Sequence, residues 1–311
     1  MTQLQIQKNS YPLLSLLLPS KGRFIDLFLT LLFTNLKTSQ PITVRFIVCA
    51  NYNYLQRTVL KIFFFRSASF INERAHSVRG MIGAYNLAYD FAVKENANWV
   101  ALWADDLLPA TSFWLDDIFP EVTDPSFKFG ILSSDEGGHK NKYGWNVFAG
   151  YPCAHFYIAR TDALPGYLLN PSLAAYVGDN EIVIDRVKSN IPVTLLPIKV
   201  VHQPTINTTR KRNSQSYKND LLKVYEIHPE LMGKLDNIVL HGNVTTKDSN
   251  FIVDEGLSVI FTHETKGIPY AEFVSKAPVA SHSLVVRFVG MIRIYWNKSI
   301  FMLDVLFDKF R

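Results

Sequence analysis

The first 105 residues alternate apolar, strand-like runs with segments of helix length, and this alternation limits the fold more than any other feature. Residues 13–18 form a continuous apolar run that ends at Pro19, which predicts a buried strand. The strands and helices predicted after it are, in chain order, 24–36 (helix), 42–49 (strand), 54–63 (helix), 69–71 (strand), 73–95 (helix) and 99–103 (strand). Strands separated by helices favour parallel pairing with right-handed crossovers. The sequence therefore predicts an α/β fold.

The second half of the chain is less regular. Its predicted strands are 127–132, 153–160 and 193–201, and a helix with an acidic start is predicted over 178–188. Residues 204–220 are polar and basic, which predicts a loop or linker, and a helical pattern follows. We therefore expect one α/β domain over residues 1–220 and a helical extension over residues 221–311.

The composition excludes several classes of protein. The chain has 311 residues, of which 48% are hydrophobic, so a disordered chain is excluded. Two cysteines, Cys49 and Cys153, are too few for a disulfide framework or a four-thiolate zinc site, and they fit a reducing compartment. The formal net charge of +5 permits an anionic partner without naming one.

No targeting or membrane-spanning segment is predicted. The polar start does not fit a secretory signal. The apolar stretch 284–307 is interrupted by charged side chains, each of which would cost at least about 2.5 kcal/mol at the centre of a bilayer. We therefore expect a cytoplasmic protein, with peripheral contact at the inner face of a membrane as an alternative.

Two adjacent carboxylates, Asp105 and Asp106, directly follow the apolar segment WVALWA. Ligands of open α/β sheets bind beyond the carboxyl ends of the strands. Neighbouring like charges repel, and a divalent cation such as Mg²⁺ or Mn²⁺ would relieve that repulsion. The alternative is a solvated acidic turn or the first turn of a helix.

Three further residues could complete such a site. His202 ends a predicted strand and could be a third metal ligand, although a half-buried histidine is the alternative. Asp179 and Glu181 begin a predicted helix. Either could act as a general base on a hydroxyl group, or Asp179 could simply cap the helix.

Arginine side chains could bind phosphate groups, because the guanidinium offers a bidentate fork. The candidates are Arg23, Arg79, Arg210, Lys211 and Arg212. No Walker-type, dinucleotide-binding, serine-hydrolase or zinc-protease motif occurs. Nucleic-acid-binding modules are also not evident, so we expect no nucleic-acid partner.

Five short motifs follow one another along the chain: Pro19-Ser20-Lys21-Gly22-Arg23, Arg79-Gly80 with Asn86, the segment WADDLLP with Trp114-Leu115, Gly178-Asp179-Asn180-Glu181 with Arg186, and Val200-Val201-His202. Taken in order, they resemble the motifs of the family 2 inverting glycosyltransferases, which have the GT-A fold. The resemblance covers about residues 10–205. It implies a Rossmann-like, mixed but mostly parallel sheet flanked by helices.

The resemblance also implies a mechanism. Asp106, assisted by Asp105 and His202, would hold Mn²⁺ or Mg²⁺ against the diphosphate of a UDP-, dTDP- or GDP-linked sugar. Asp179, or Glu181 as second choice, would deprotonate the hydroxyl of a glycan or lipid-linked acceptor, as in polysaccharide biosynthesis. The implied donor-binding residues are Pro19, Ser20, Arg23, Asn51, Arg79, Asn86, Asp105, Arg210 and Arg212.

The sequence departs from the family pattern at three places. Trp103 stands where the first acid of the acidic motif is usual, and Cys49-Ala50-Asn51 replaces a carboxylate that reads the nucleobase. Asn51 or Asn53 could contact the base instead. The usual Glu-Asp pair is Asp179-Asn180 here.

Other interpretations remain open. The chain could be a sugar-nucleotide nucleotidyltransferase, or a non-catalytic glycan- or membrane-binding protein on a decayed transferase scaffold. The basic, amphipathic tail at 284–311 could bind an anionic bilayer, or pack on the catalytic domain or on a second subunit as a homodimer.

Overall fold

The computed structural model describes residues 13–36, 43–76, 80–109, 114–134, 147–148, 151–152, 154–175, 177–202, 214–231 and 259–260. Within these residues, strands and helices build a mixed sheet with helices on both faces. The strands are β1 (Leu13–Ser20), β2 (Thr43–Ala50), β3 (Ala68–Asn72), β4 (Trp99–Leu102), β5 (Leu107–Pro109), β6 (Phe129–Ser134), β7 (Val147–Phe148), β8 (Tyr151–Pro152), β9 (Phe156–Arg160), β10 (Val193–His202) and β11 (Val259–Ile260). The helices are α1 (Phe24–Leu36), α2 (Tyr54–Phe64), α3 (Gly80–Lys94), α4 (Trp114–Thr123), α5 (Gly178–Lys188) and α6 (Ser214–Ile227), with short 3₁₀ turns at Glu73–His76, Thr161–Ala163 and Pro229–Leu231.

The main sheet has the strand order β3-β2-β1-β4-β9-β6-β10-β11, and β5 pairs with β10. Strands β3, β2, β1 and β4 are parallel, as the alternating sequence pattern predicts. Strand β9 runs antiparallel to both β4 and β6, while β10 is parallel to β6. The predicted mixed, mostly parallel α/β sheet is therefore confirmed. A hairpin of β7 and β8 is separate from the main sheet.

Two apolar clusters cover the two faces of the sheet. One contains buried side chains of α3, α5 and α6, including Tyr85, Ile182 and Leu221. The other contains buried side chains of α1, α2 and α4, including Leu27 and Leu60. Burial of apolar surface on both faces explains why the strands read as continuous apolar runs rather than alternating ones.

The unbroken helix predicted over 73–95 is wrong. Residues Glu73–His76 form a 3₁₀ turn, and α3 begins only at Gly80. Gly80 has a φ of +77°, and a Cβ at this position would lie 2.9 Å from the carbonyl oxygen of Ala174. A left-handed residue cannot continue a right-handed helix, so the chain turns here before α3 starts.

The linker predicted over 204–220 is partly wrong, because α6 begins at Ser214. Leu221, Val224 and Tyr225 join the apolar cluster beneath α5, which explains the helix in spite of its polar first turn. The Asp220 carboxylate accepts hydrogen bonds from the backbone amides of Ala174 and Ala175 at 2.8 and 2.9 Å. The predicted boundary at residue 220 thus falls inside a helix that packs on the sheet domain.

Most other predicted elements agree with the structure to within a few residues, although β9 begins at Phe156 and not at residue 153. Among the helices that the structure describes, none is both long and apolar enough to cross a membrane. The extension over 232–311 lies outside the described residues except for β11, and so does the tail at 284–311.

Candidate active site

Polar side chains gather at the edge of the sheet formed by the carboxyl ends of β1, β2 and β4. In the parallel register, Leu17 of β1 lies opposite Leu102 of β4. Ser20, at the end of β1, and Asp105, just after β4, therefore reach the same level. This is the edge at which open α/β sheets bind ligands.

Asp105 is held by three side chains. Its Oδ2 atom accepts a hydrogen bond from Ser20 Oγ at 2.6 Å, and its Oδ1 atom lies 2.8 Å from Arg23 Nη2. Its backbone carbonyl accepts a hydrogen bond from Thr30 Oγ1 at 2.9 Å. The Tyr52 hydroxyl lies 2.5 Å from Ser20 Oγ, and since the single hydroxyl hydrogen of Ser20 is used on Asp105, Tyr52 is the donor to Ser20. A chain of hydrogen bonds thus runs from Tyr52 through Ser20 to Asp105.

Burial makes the negative charge of Asp105 costly. Loss of solvation raises the pKa of Asp105 to about 7; Arg23 and the Ser20 hydrogen bond oppose this rise, and the neighbouring Asp106 adds to it. A carboxylate in this environment gains from any further positive charge placed beside it.

Arg23 bridges the two carboxylates. It pairs with Asp106 Oδ2 at 2.5 Å as well as with Asp105. Burial lowers the pKa of Arg23, but attraction to Asp105, Asp106 and Asp26 outweighs burial and raises it above its ordinary value. The guanidinium therefore stays charged and neutralises part of the acid pair.

We expect replacement of Arg23 by Ala to destabilise the protein and to make its stability depend on divalent cations. Breaking a fully buried ion pair costs about 3–5 kcal/mol. The side chain of Arg23 is 40% exposed, which lowers the expected loss to about 2 kcal/mol. Mn²⁺ should raise the melting temperature of Arg23→Ala more than that of the wild type, since the ion supplies the missing charge. Urea unfolding and thermal melts with and without Mn²⁺ measure both effects.

The matched control is Arg160→Ala, which removes an arginine paired with the exposed Asp162. Such surface pairs are worth about 1 kcal/mol or less. Equal losses in the two variants, or equal responses to Mn²⁺ in Arg23→Ala and the wild type, would contradict the role assigned to Arg23.

Trp103, which replaces the usual first acid, does not belong to this cluster. Its side chain is fully buried in the apolar cluster that also contains Leu27 and Leu60, and it packs on Trp114, with ring centroids 5.3 Å apart. The tryptophan that replaces the usual acid at position 103 is therefore part of the hydrophobic core.

Tyr85 links the acid pair to the second candidate region. Its buried hydroxyl donates a hydrogen bond to the carbonyl of Trp103 at 2.6 Å. Burial raises the pKa of Tyr85, and the charges of Asp105, Asp106 and Asp179 add to the rise. The charges of both candidate regions therefore influence the Tyr85 hydroxyl.

Asp179 lies in the first turn of α5 and faces His155. Its Oδ2 atom is 3.2 Å from Nδ1 of His155, and both side chains are about one quarter exposed. His155 precedes β9, whose antiparallel direction brings its start to the same edge as the end of β4. A partly exposed carboxylate with an imidazole partner can accept a proton from a bound hydroxyl.

The backbone before Asp179 is strained. Val177 has a φ of +55°, a region that β-branched residues rarely adopt. Its carbonyl nevertheless accepts hydrogen bonds from the amides of Glu181 and Asn180, which begin α5. Strain of this kind often marks a functional site, and here it lies two residues before Asp179, at the start of α5.

Glu181, the second choice for the base, is buried and structural. Its Oε1 atom lies 3.1 Å from Nε2 of His228 and accepts a hydrogen bond from Asn170 Nδ2 at 3.2 Å. Only 1% of Glu181 is exposed, so an acceptor cannot reach it. The pair joins α5 to the segment after α6.

Of the metal site expected at Asp105, Asp106 and His202, the structure describes the two carboxylates and the backbone of His202. His202 lies opposite Leu107 in the pairing of β10 with β5, so its backbone is next to the acid pair. Among the residues that the structure describes, no group of three or more His, Cys, Asp or Glu side chains is arranged to hold a metal. The two carboxylates do offer the hard oxygen ligands that Mg²⁺ and Mn²⁺ prefer, in a place where added positive charge is favourable.

The expected donor-binding residues have several different positions. Pro19 lies within the end of β1, and the half-buried Asn51 follows β2 at the same edge. Asn53, the alternative to Asn51, caps α2: its side chain accepts from the amide of Gln56 at 2.9 Å. Asn86 binds the 168–169 backbone, accepting from both amides at 2.9 Å and donating to the carbonyl of Leu169. Arg79, Arg210, Lys211 and Arg212 lie outside the described residues.

Three residues of the site were missed at the sequence level. Tyr52 lies three residues after the predicted second strand, at the ligand-binding edge of the sheet, and that position was a usable signal. Tyr85 fits the apolar spacing of α3, which hides its polar contact with Trp103. His155 gave no signal, because its position depends on β9 being antiparallel.

Comparison with solved structures supports the same fold. A mannosyltransferase from Pyrobaculum calidifontis, in complex with GDP-Man and Mn²⁺, superposes with a TM-score of 0.53 and 12% identity, covering 97% of this chain and 89% of that one. GalNAc-T7 with UDP, GalNAc and Mn²⁺ gives 0.58 and 12%, covering 88% of this chain and 59% of that one. Mannosyl-3-phosphoglycerate synthase from Rubrobacter xylanophilus gives 0.50 and 14%, covering 75% and 79%.

These similarities define the class of fold. The chain has the GT-A fold of nucleotide-sugar glycosyltransferases, as the sequence motifs predict. No family model and no curated protein sequence matches the chain.

Proposed function

We propose that this protein is an inverting glycosyltransferase that moves a sugar from a nucleotide-diphosphate sugar to a hydroxyl group of a glycan or glycolipid. The observation that carries the proposal is the cluster at one sheet edge: Arg23 bridges Asp105 and Asp106, and Asp179 pairs with His155, which precedes β9 at the same edge. The GT-A neighbours crystallised with UDP or GDP-Man and Mn²⁺ support the choice of donor.

The acid pair and Arg23 would bind the diphosphate end of the donor. Asp106, with Asp105 and His202, would hold Mn²⁺ or Mg²⁺, and the ion would offset the charge that grows on the departing nucleoside diphosphate. Ser20 and Tyr52 keep the Asp105 carboxylate in one orientation. Arg23 offers a second cationic group for the phosphates.

Asp179 would accept the proton of the acceptor hydroxyl. As that oxygen forms a bond to the anomeric carbon, the bond from this carbon to the phosphate oxygen breaks, and the nucleoside diphosphate leaves with the electron pair. Attack from the face opposite the leaving group inverts the configuration. His155 contacts Oδ2 of Asp179 and would hold the carboxylate in place.

A panel of nucleoside diphosphate sugars, tested with Mn²⁺, checks the proposal. A true donor at about 100 times its Kd should raise the melting temperature by about 5–10 °C. The same donor should be slowly hydrolysed to free nucleoside diphosphate, and EDTA should abolish the hydrolysis. Inorganic pyrophosphate and nucleoside monophosphates serve as controls.

Each outcome separates the proposal from its rivals. A donor that binds but is neither hydrolysed nor transferred would favour a non-catalytic scaffold. Formation of a sugar nucleotide from a sugar phosphate and a nucleoside triphosphate would favour a nucleotidyltransferase. A panel in which no donor binds would overturn the proposal.

A further inference from the structure

Helix α2 carries large apolar side chains on both of its faces. Leu60 and Phe64 point to the sheet and are buried. On the opposite side, Leu55, Ile62 and Phe63 are 71%, 67% and 64% exposed. A helix on the surface of a soluble domain normally has polar residues facing water.

We define the outer face of α2 as the exposed apolar residues of this helix and its end, together with the exposed cations among them. Its members are Tyr54, Leu55, Lys61, Ile62, Phe63, Phe65 and Arg66. Single exposed apolar residues are ordinary, but here five large ones lie within twelve residues. Patches of this kind mark interaction surfaces.

The charged residues on the outer face of α2 are all cationic. It contains Lys61 and Arg66, and no Asp or Glu occurs between residues 43 and 72. The Arg66 guanidinium lies 5.2 Å from the centre of the Phe65 ring, so charge and aromatic surface adjoin. Large apolar side chains interspersed with Lys and Arg fit the interface of an anionic bilayer.

The charges argue against other occupants. A symmetric dimer through this face would place its cations against the same cations of a second copy. The apolar tail of this chain, residues 284–311, also has more Lys and Arg than Asp and Glu, so it would be repelled too. Charge complementarity therefore favours an anionic surface over either of these.

The patch is held in place before it meets any partner. The ring of Phe63 packs edge-on against Phe28 of α1, with centroids 5.3 Å apart, and Phe28 contacts the buried Phe64 in the same way. Asn53 and Gln56 form a capping box that fixes the start of the helix. A rigid surface loses little conformational entropy on binding.

We propose that the outer face of α2 docks on an anionic lipid bilayer, with Leu55, Ile62 and Phe63 entering the interface and the cations contacting lipid headgroups. Tyr54 begins α2 two residues after Tyr52, which bonds to Ser20 of the candidate site. Docking would therefore place the carboxyl edge of the sheet next to the membrane. The inference does not depend on the proposed reaction.

Vesicle flotation of the full chain tests the proposal. The wild type should float with vesicles of phosphatidylcholine and phosphatidylglycerol, and not with phosphatidylcholine alone, and high salt should reduce the floating fraction. Ile62→Glu combined with Phe63→Glu should lower the partition coefficient at least about tenfold, because apolar surface no longer leaves water. Leu222→Glu, at an exposed leucine of α6, is the matched control and should float like the wild type.

A second variant distinguishes weaker membrane binding from misfolding of the first variant. Lys61→Glu combined with Arg66→Glu changes only exposed side chains and should weaken flotation on anionic vesicles while preserving the circular dichroism spectrum. Absence of wild-type flotation, or equal flotation of wild type and both variants, would overturn the proposal. So would a lipid-free wild-type dimer that Ile62→Glu/Phe63→Glu converts to a monomer, since a second copy would then be the occupant.

Discussion

Replacing Asp179 by Asn is expected to lower the turnover of sugar transfer by about 10²–10⁴-fold, the usual contribution of a general base. The amide keeps the shape of the carboxylate but cannot accept the acceptor proton. Asp179 is not one of the groups that Arg23 bridges, so donor affinity should remain close to that of the wild type. Steady-state kinetics and calorimetric titration of the donor measure the two quantities.

The matched control for this substitution is Asp90→Asn, which makes the same chemical change at an exposed position of α3. It should leave turnover unchanged. Full activity in Asp179→Asn would remove Asp179 from the mechanism. Loss of donor binding in the same variant would move its role from proton transfer to the binding of substrate.

Replacing Asp106 by Asn is expected to weaken the Mn²⁺-dependent binding of a nucleoside diphosphate by about 10–100-fold, the range found when support for a metal site is removed. The amide retains an oxygen atom but loses the negative charge that pairs with Arg23. Binding measured in EDTA should change far less, because it does not use the ion. Titration calorimetry with UDP and GDP, with and without Mn²⁺, separates the two contributions.

Asp90→Asn is again the control, because it changes the net charge of the protein by the same amount as Asp106→Asn. Unchanged affinity in Mn²⁺ for Asp106→Asn would exclude this carboxylate as a metal ligand. An equal loss with and without Mn²⁺ would mean that Asp106 acts by positioning Arg23 alone.

The sheet was predictable because its strands are buried on both faces. Such strands appear as short apolar runs, and β1, β2 and β4 all follow this pattern. The acid pair was predictable for the same reason, since polar residues directly after a buried strand must lie at the ligand-binding edge. Tyr52 could have been identified by the same argument.

Other features depend on long-range geometry that local patterns do not encode. At the break before α3, the positive φ of Gly80 and the nearby carbonyl of Ala174 require a residue without a side chain. The start of α6 at Ser214 depends on Leu221, Val224 and Tyr225, which lie further along the helix and join the same apolar cluster as α5. The Arg23 bridge depends on the side-chain conformations of Arg23, Asp105 and Asp106. The sequence alone does not distinguish an arginine in such a bridge from one that is solvated.

The anchoring of α6 limits where the chain can be shortened. A fragment that stopped at residue 220 would lack Leu221, Val224 and Tyr225, and would expose the apolar surface that they cover beneath α5. It would also end at the residue whose carboxylate binds the 174–175 backbone. A fragment intended for crystallisation or expression without the tail should therefore extend through Leu231, where the 3₁₀ turn closes on His228.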